Sequence, residues 1–305
     1  MSVRITVALN TESFPLLRET LETEFRVLSK GQNPELARAL VIAAAEGVSS
    51  DELDRFPNIE LVAVFGVGLD GLDLEHLHSR KLLLANTPSV LDDSVAEHAM
   101  ALMLAASRKI READEFIRDG RWGKEVFPLA HGLRGKRCGI AGLGGIGHKI
   151  ATLAKVFGLE LAYHGRRRQE NVAYKYFDSL IDLAKESDIL VLALPGGEET
   201  QGIVNRAVLQ ALGAQGLLVN IARGSVVNEE ALIQTLQTGE LGAAALDVYS
   251  NEPNISNELS LIPNAVLTPH IGCATYEARR AMSEFTMENL RAHFSGRPIP
   301  GLCQR

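Results

Sequence analysis

Three short segments carry a cation, an acid and a base, each directly after an apolar run. They are Val219-Asn220-Ile221-Ala222-Arg223-Gly224, Leu246-Asp247-Val248-Tyr249-Ser250-Asn251-Glu252-Pro253 and Thr268-Pro269-His270-Ile271-Gly272. The apolar runs over 217–221, 243–248 and 265–267 read as strands. Open α/β sheets bind ligands beyond the carboxyl ends of their strands. Arg223, Glu252 and His270 therefore put one cation, one acid and one base where such a sheet takes a ligand.

A fourth segment, Gly142-Leu143-Gly144-Gly145-Ile146-Gly147, has the G-x-G-x-x-G spacing. A strand (137–141) precedes it, a helix (148–157) follows, and another strand (159–163) comes next, which is the setting a dinucleotide loop requires. Gly142 permits the tight turn, Gly144 lets backbone approach a pyrophosphate, and Gly147 lets helix pack on strand. Gly145 and Ile146 lie in the same loop, where a helix N-terminus offers free N–H groups to phosphate. The bland alternative is a glycine-rich turn with no ligand.

The next strand ends in Tyr163-His164-Gly165-Arg166-Arg167-Arg168. An NAD site usually places Asp or Glu here, on the ribose 2′-hydroxyl. A carboxylate would repel a 2′-phosphate, whereas arginines bind one through charge-assisted bonds. The absent acid and the added bases favour NADP (as NADPH) over NAD, with Arg166 and Arg167 as phosphate ligands. His164 stands in the acid's place, beside the adenosine ribose. The alternative is a solvated basic loop.

The elements that must position these residues alternate along the chain. Strands are expected over 3–9, 40–45, 61–65, 189–194, 217–221, 243–248 and 265–267, which is the pattern of parallel α/β sheets. A helix is expected to open over 50–56, and another near Asp93, where Ser94 and Glu97 have capping-box spacing. The apolar stretch 99–106 predicts a buried helix between domains or subunits. Residues 119–133 and 255–261 read as loops, and the last helix spans about 275–294. At 305 residues the chain exceeds one comfortable core, so two domains are expected.

A net charge of −7 implies no basic face and no nucleic-acid partner. Cys138, Cys273 and Cys303 are too sparse for a disulfide scaffold and too scattered for zinc, so no metal is expected. No apolar run reaches the roughly 20 residues a membrane span needs. A cytoplasmic protein without a membrane partner is the expectation.

The chain resembles the D-isomer specific 2-hydroxyacid dehydrogenase family over nearly its whole length. The resemblance rests on Gly66-Val67-Gly68-Leu69-Asp70-Gly71-Leu72-Asp73, Asn86-Thr87-Pro88, the glycine loop and the three segments above. The arginine loop is most similar to the NADPH-dependent glyoxylate/hydroxypyruvate reductase branch.

The resemblance implies an α/β fold of two Rossmann-like doubly wound domains. The coenzyme domain (99–283) is inserted in a flavodoxin-like substrate domain (1–98 plus 284–305). It implies that Arg223 binds the substrate carboxylate and polarises the 2-oxo group, and that His270 donates the proton during reduction. Glu252 pairs with His270 and orients its ring. Asp247 sits near the nicotinamide carboxamide, and the amides around Val67 and Gly68 hold the substrate carboxylate. The loop at Pro195 lies near the coenzyme ribose, although Gly196 and Gly197 depart from the family's usual residues there. Trp122 is expected to line the substrate pocket or pack at an interface. His98, His131 and His164 have no pairing motif and are not expected to be ligands.

The implied activity is hydride transfer from NADPH to C2 of a small 2-oxo acid such as hydroxypyruvate or glyoxylate. A homodimer formed through the coenzyme domain is the implied assembly. Two rivals are an NAD-dependent phosphoglycerate-type dehydrogenase and a non-catalytic dinucleotide-sensing scaffold. The arginine loop argues against the first, and the three catalytic residue types against the second.

Overall fold

The apolar runs are buried on both faces, as parallel strands covered by helices must be. The computed structural model describes residues 4–303. The chain opens with β1 (Thr6–Leu9), α1 (Pro15–Glu22), β2 (Arg26–Leu28), β3 (Ala39–Ala43), α2 (Ser50–Leu53), β4 (Leu61–Phe65), α3 (Leu74–Ser79) and β5 (Leu83–Ala85). These strands form a parallel sheet in the order β2-β1-β3-β4-β5. Every residue of β3 and β4 is buried. The strand expected over 3–9 is seen from Thr6 onward, and Val3 lies outside the described residues.

A second sheet follows. Its elements are α4 (Asp92–Ser107), α5 (Ile110–Arg118), β6 (Arg137–Ala141), α6 (Gly145–Val156), β7 (Glu160–His164), β8 (Lys175–Phe177), α7 (Leu180–Lys185) and β9 (Ile189–Leu192). Then come α8 (Arg206–Leu212), β10 (Leu217–Asn220), α9 (Glu229–Thr238), β11 (Ala243–Leu246), α10 (Asn257–Ser260) and β12 (Ala265–Leu267). The strand order is β12-β11-β10-β9-β6-β7-β8, all parallel. Winding reverses between β6 and β9, so their carboxyl ends flank the crevice where doubly wound sheets take ligands. The chain ends with α11 (Tyr276–Phe294). Thr275 Oγ1 caps it by accepting from the Ala278 amide at 3.1 Å.

Contacts divide the chain into two units, Met1–Leu91 with Cys273–Arg305, and Asp92–Gly272. The divisions fall at 91/92 and 272/273, where 98/99 and 283/284 were expected. Gln304 and Arg305 lie outside the described residues.

Three local expectations change. The helix near Asp93 begins at Asp92, so Ser94 sits inside its first turn instead of at the cap. Its hydroxyl donates to the Gly272 carbonyl at 2.9 Å. The loop expected over 255–261 contains α10, capped by Ser256 Oγ accepting from the Leu259 amide. The apolar stretch 99–106 lies on α4, whose Ala99, Met100, Leu102 and Met103 are buried within their own unit against α6, β10 and β11. Burying a Leu or Met contributes about 1.5–3 kcal/mol, so these four side chains help hold the unit together. Exposed apolar side chains occur just beyond, at Ile110, Ile117, Trp122, Val126 and Leu129. Trp122, expected to line a pocket or pack at an interface, is 79% exposed.

Candidate active site

Arg223, Glu252 and His270 follow β10, β11 and β12, three adjacent strands of one sheet. Asn220, at the end of β10, is buried. Its side-chain Oδ1 accepts from the Ala222 amide at 3.0 Å, and its Nδ2 donates to the Arg223 carbonyl at 3.1 Å. That clasp turns the chain at Arg223, whose guanidinium donates to the Ala222 carbonyl at 2.8 Å. Gly224 then passes the next loop at a distance that excludes any side chain. A Cβ there would stand 1.8 Å from the Tyr249 carbonyl carbon.

Glu252 is reached through a loop pinned from both sides. Ser250 donates through its amide and hydroxyl to Glu229 Oε2, at 3.1 and 2.7 Å. Glu252 Oε1 accepts from the Tyr249 amide at 2.9 Å, and its Oε2 lies 2.6 Å from His270 Nδ1. Burial pushes the Glu252 carboxyl up. The His270 ring, the Tyr249 amide and the nearby Arg223 charge outweigh it, holding the group below its ordinary value. A carboxylate acceptor fixes Nδ1 as the protonated ring nitrogen and leaves Nε2 as the ring's other polar atom. The His270 and Glu252 side chains are 28% and 29% exposed, so both are open to a ligand.

His270 has φ +52°, a left-handed conformation that a non-glycine residue adopts at a cost of about 1–3 kcal/mol. The compensation comes from Asp247, which is 2% exposed. Asp247 Oδ1 accepts from the Ile271 amide at 2.9 Å, and Oδ2 accepts from the Gly272 amide at 2.8 Å. Burial pushes the Asp247 carboxyl up, but His98, Thr268 and the Ile271 amide together hold it below the usual carboxylate range. Tyr249 adds a third clamp, its hydroxyl donating to the Thr268 carbonyl at 2.8 Å. Burial and the Asp247 charge push the Tyr249 phenol up to about 12, so it remains a donor.

The glycine loop fits a dinucleotide by its shape. Gly142 has φ +95°, and a Cβ there would lie 2.6 Å from the Ala193 carbonyl oxygen. A Cβ at Gly147 would lie 2.2 Å from the Gly142 carbonyl oxygen. A Cβ at Gly144 meets nothing within 4 Å, so the bare backbone faces open space where a pyrophosphate can approach. Gly144 caps α6 with no side chain, so no side-chain acceptor takes the first-turn amides, in which Gly145 and Ile146 lie.

Beyond β7, the His164 Nδ1 donates to the Phe177 carbonyl at 3.0 Å, leaving Nε2 as its second polar atom. Arg166, Arg167 and Arg168 are exposed. Gln169 ties this turn to the glycine loop, donating to the Leu143 carbonyl at 2.8 Å and lying 3.1 Å from His148 Nε2. Pro195, after β9, accepts at its carbonyl from the Thr200 hydroxyl at 2.7 Å. Gly197 has φ +126° and ψ 175°, a region essentially confined to glycine, which explains that departure from the family's usual residues.

In the other unit, Val67 and Gly68 follow β4. The loop is held by Thr87 Oγ1, which accepts from the Gly66 amide at 3.1 Å, and by Asn86 Nδ2, which donates to the Val67 carbonyl at 3.0 Å. Among the described residues, the Val67 and Gly68 amides have no protein acceptor.

A model of the D-isomer specific 2-hydroxyacid dehydrogenase NAD-binding domain matches residues 100–272. The chain belongs to that family. As a member it is an oxidoreductase of 2-hydroxy acids with a nicotinamide dinucleotide domain. It is 42% identical to glyoxylate/hydroxypyruvate reductase A of Arabidopsis thaliana, over 93% of this chain and 94% of that one. It is 42% identical to hydroxyphenylpyruvate reductase of Plectranthus scutellarioides, over 87% and 85%. The crystal structure of an NADPH-dependent glyoxylate/hydroxypyruvate reductase from Sinorhizobium meliloti, with NADP and malonate, superposes with a TM-score of 0.94 at 35% identity. That match covers 98% of this chain and 97% of the other. The two-domain α/β architecture of the family is thus the fold of this dehydrogenase.

Several residues of the site escape sequence reasoning. Glu229, Tyr249 and Gln169 act through hydrogen bonds to residues 21, 19 and 26 positions away, and Asn220 through bonds to its near neighbours Ala222 and Arg223. His98, which has no pairing motif in the sequence, lies 3.2 Å from Asp247 Oδ1 and 3.0 Å from Thr268 Oγ1. The only sequence signal for these residues is a polar side chain within or beside an apolar element.

Proposed function

We propose that this dehydrogenase reduces a small 2-oxo acid, hydroxypyruvate or glyoxylate, to the D-2-hydroxy acid with NADPH. The observation that carries the reading is the 2.6 Å His270–Glu252 contact at the ends of adjacent strands, with the Arg223 charge beside it. Bound NADPH supplies the hydride that reduces the substrate carbonyl carbon. His270, oriented by Glu252, gives the carbonyl oxygen its proton through Nε2. Arg223 holds the substrate carboxylate and draws electron density from the 2-oxo group. In this reading the Val67 and Gly68 amides are donors for a substrate carboxylate.

For the coenzyme, the α6 amides and the open face of Gly144 would hold the pyrophosphate. Arg166 and Arg167 would hold the 2′-phosphate, with His164 by the ribose. Pro195 would flank the coenzyme ribose and Asp247 the carboxamide. A homodimer is part of this reading, supported by exposed Trp122, Val126 and Leu129, which a second copy would cover. So is a reducing, cytoplasmic location, supported by three free thiols. No helix among the described residues is long and apolar enough to cross a membrane.

A panel of 2-oxo acids assayed with NADPH and NADH in parallel tests the reading. The expected result is the highest kcat/KM for hydroxypyruvate or glyoxylate with NADPH. Equal turnover with both coenzymes would overturn the coenzyme assignment. Coenzyme binding without turnover of any 2-oxo acid would overturn the enzymatic one.

A further inference from the structure

His98 lies on α4, 149 residues before Asp247, and its side chain is 15% exposed. Its Nε2 is shared between Asp247 Oδ1 at 3.2 Å and Thr268 Oγ1 at 3.0 Å. The Thr268 hydroxyl has one proton and two acceptors in reach, Asp247 Oδ1 at 2.6 Å and the Leu246 carbonyl at 3.4 Å. The shorter contact, to an anion, takes that proton. The Thr268 oxygen must then accept from His98, which fixes the proton of the ring on Nε2.

Asp247 is thereby held from two directions. His98 and Thr268 hold its carboxylate from one side. From the other it receives the Ile271 and Gly272 amides, the two residues directly after left-handed His270. The Asp247 carbonyl also accepts from the His270 amide at 2.9 Å. A carboxylate that lost its outer donors could rotate or take up a proton. Either change would release the two amides that keep the His270 backbone in its strained form.

We infer that His98 is a positioning residue for the proton donor, holding His270 in place through Thr268, Asp247 and the Ile271–Gly272 amides. The inference rests on the proposed role of His270 and adds a residue that touches neither substrate nor reacting atoms.

The variants His98→Leu and His98→Gln separate donor from bulk, since Gln keeps an N–H near the Nε2 position. His98→Leu is expected to lower kcat by about ten- to a hundredfold, the scale of a misplaced catalytic group. The KM for coenzyme should change less than kcat, because the main loss falls on the step His270 serves, while Asp247 would meet only the carboxamide end of the coenzyme. His98→Gln should restore most of kcat. Amide hydrogen exchange at Ile271 and Gly272 should quicken in His98→Leu and return toward normal in His98→Gln.

Thr268→Val removes the bridging hydroxyl and leaves His98 in place. Its loss should be non-additive with that of His98→Leu, as expected within one network. If His98→Leu does not fold, Thr268→Val and His98→Gln still carry the test. Equal defects in the Leu and Gln variants, or unaltered exchange at Ile271 and Gly272, would overturn the inference. An active His270→Ala enzyme would instead overturn the underlying reading.

Discussion

The proposed catalytic loops and coenzyme loops lie beyond the carboxyl ends of one sheet's strands and are built in opposite ways. Around His270 the polar groups are engaged by the protein. Asp247 takes four donors, Tyr249 clamps Thr268, and Glu252 is held by both the Tyr249 amide and His270. Around Gly144 the opposite holds. No atom lies within 4 Å of a Cβ at Gly144 or Gly165, and no side chain caps α6. Three arginines stand exposed beside these positions. A proton donor must be aimed before its substrate arrives, so its supports are internal. A phosphate site must leave donors unsatisfied, so that the ligand completes them. The two regions should therefore respond differently to substitution.

The largest expected effect is in the first region. His270→Ala should lower kcat by about a thousandfold, within the range for a general acid. Coenzyme affinity, measured by fluorescence titration, should be unchanged. Near-normal turnover would remove His270 from the mechanism, and a matching loss of coenzyme binding would erase the contrast between the regions.

The second effect belongs to the coenzyme region. Arg166→Ala with Arg167→Ala should weaken NADPH by about ten- to a hundredfold, since charge-assisted bonds contribute about 1.5–3 kcal/mol each when fully formed and these are exposed. NADH should be little affected, and kcat at saturating NADPH should hold. Equal weakening of both coenzymes would mean that the arginines do not meet the 2′-phosphate.

The same contrast governs what could be read from sequence. The coenzyme region was legible because its chemistry is local. The glycine spacing, the strand before it and the arginine run after it all fall within about thirty residues, the size of one βαβ unit. Strands β4, β6 and β12 match their expected ends because turn-forming residues bound each apolar run. The types of Arg223, Glu252 and His270 were legible as chemistry after strands. Their supports were not. His98 reaches Asp247 across 149 residues, and Glu229 reaches Ser250 across 21. Helix α5 (Ile110–Arg118) was missed because polar residues dominate it and only Phe116 is buried. Ser94 and Glu97 have the right cap spacing, but the helix starts earlier, at Asp92.

Two buried carboxylates sharpen the comparison with the smallest expected effect. Asp247, in the catalytic region, is held below the ordinary carboxylate range by its donors. Asp92, beside the coenzyme loop, is pushed above it, first by burial and then by the charge of Asp93. Asp92 presses on the glycine loop, since a Cβ at Gly145 would stand 2.2 Å from its Oδ2.

The signs of their contributions are opposite. A depressed carboxylate contributes stability above its unfolded value and loses it as pH falls through its folded value. A raised one contributes below its unfolded value and loses it as pH rises through its folded value. At neutral pH, Asp247→Asn should therefore lower Tm, with the deficit shrinking in acid. Asp92→Asn should raise Tm by a few degrees, with the gain fading as pH falls toward the ordinary Asp range of about 4.

Asp92→Asn should also tighten NADPH and NADH alike by about two- to fivefold, because it removes a negative charge near the α6 N-terminus, where the pyrophosphate would bind. Thermal melts from acid to neutral pH and coenzyme titrations on the same samples check both arms. A lower Tm at neutral pH, or weaker coenzyme binding, would show that Asp92 supports the glycine loop instead of opposing its ligand.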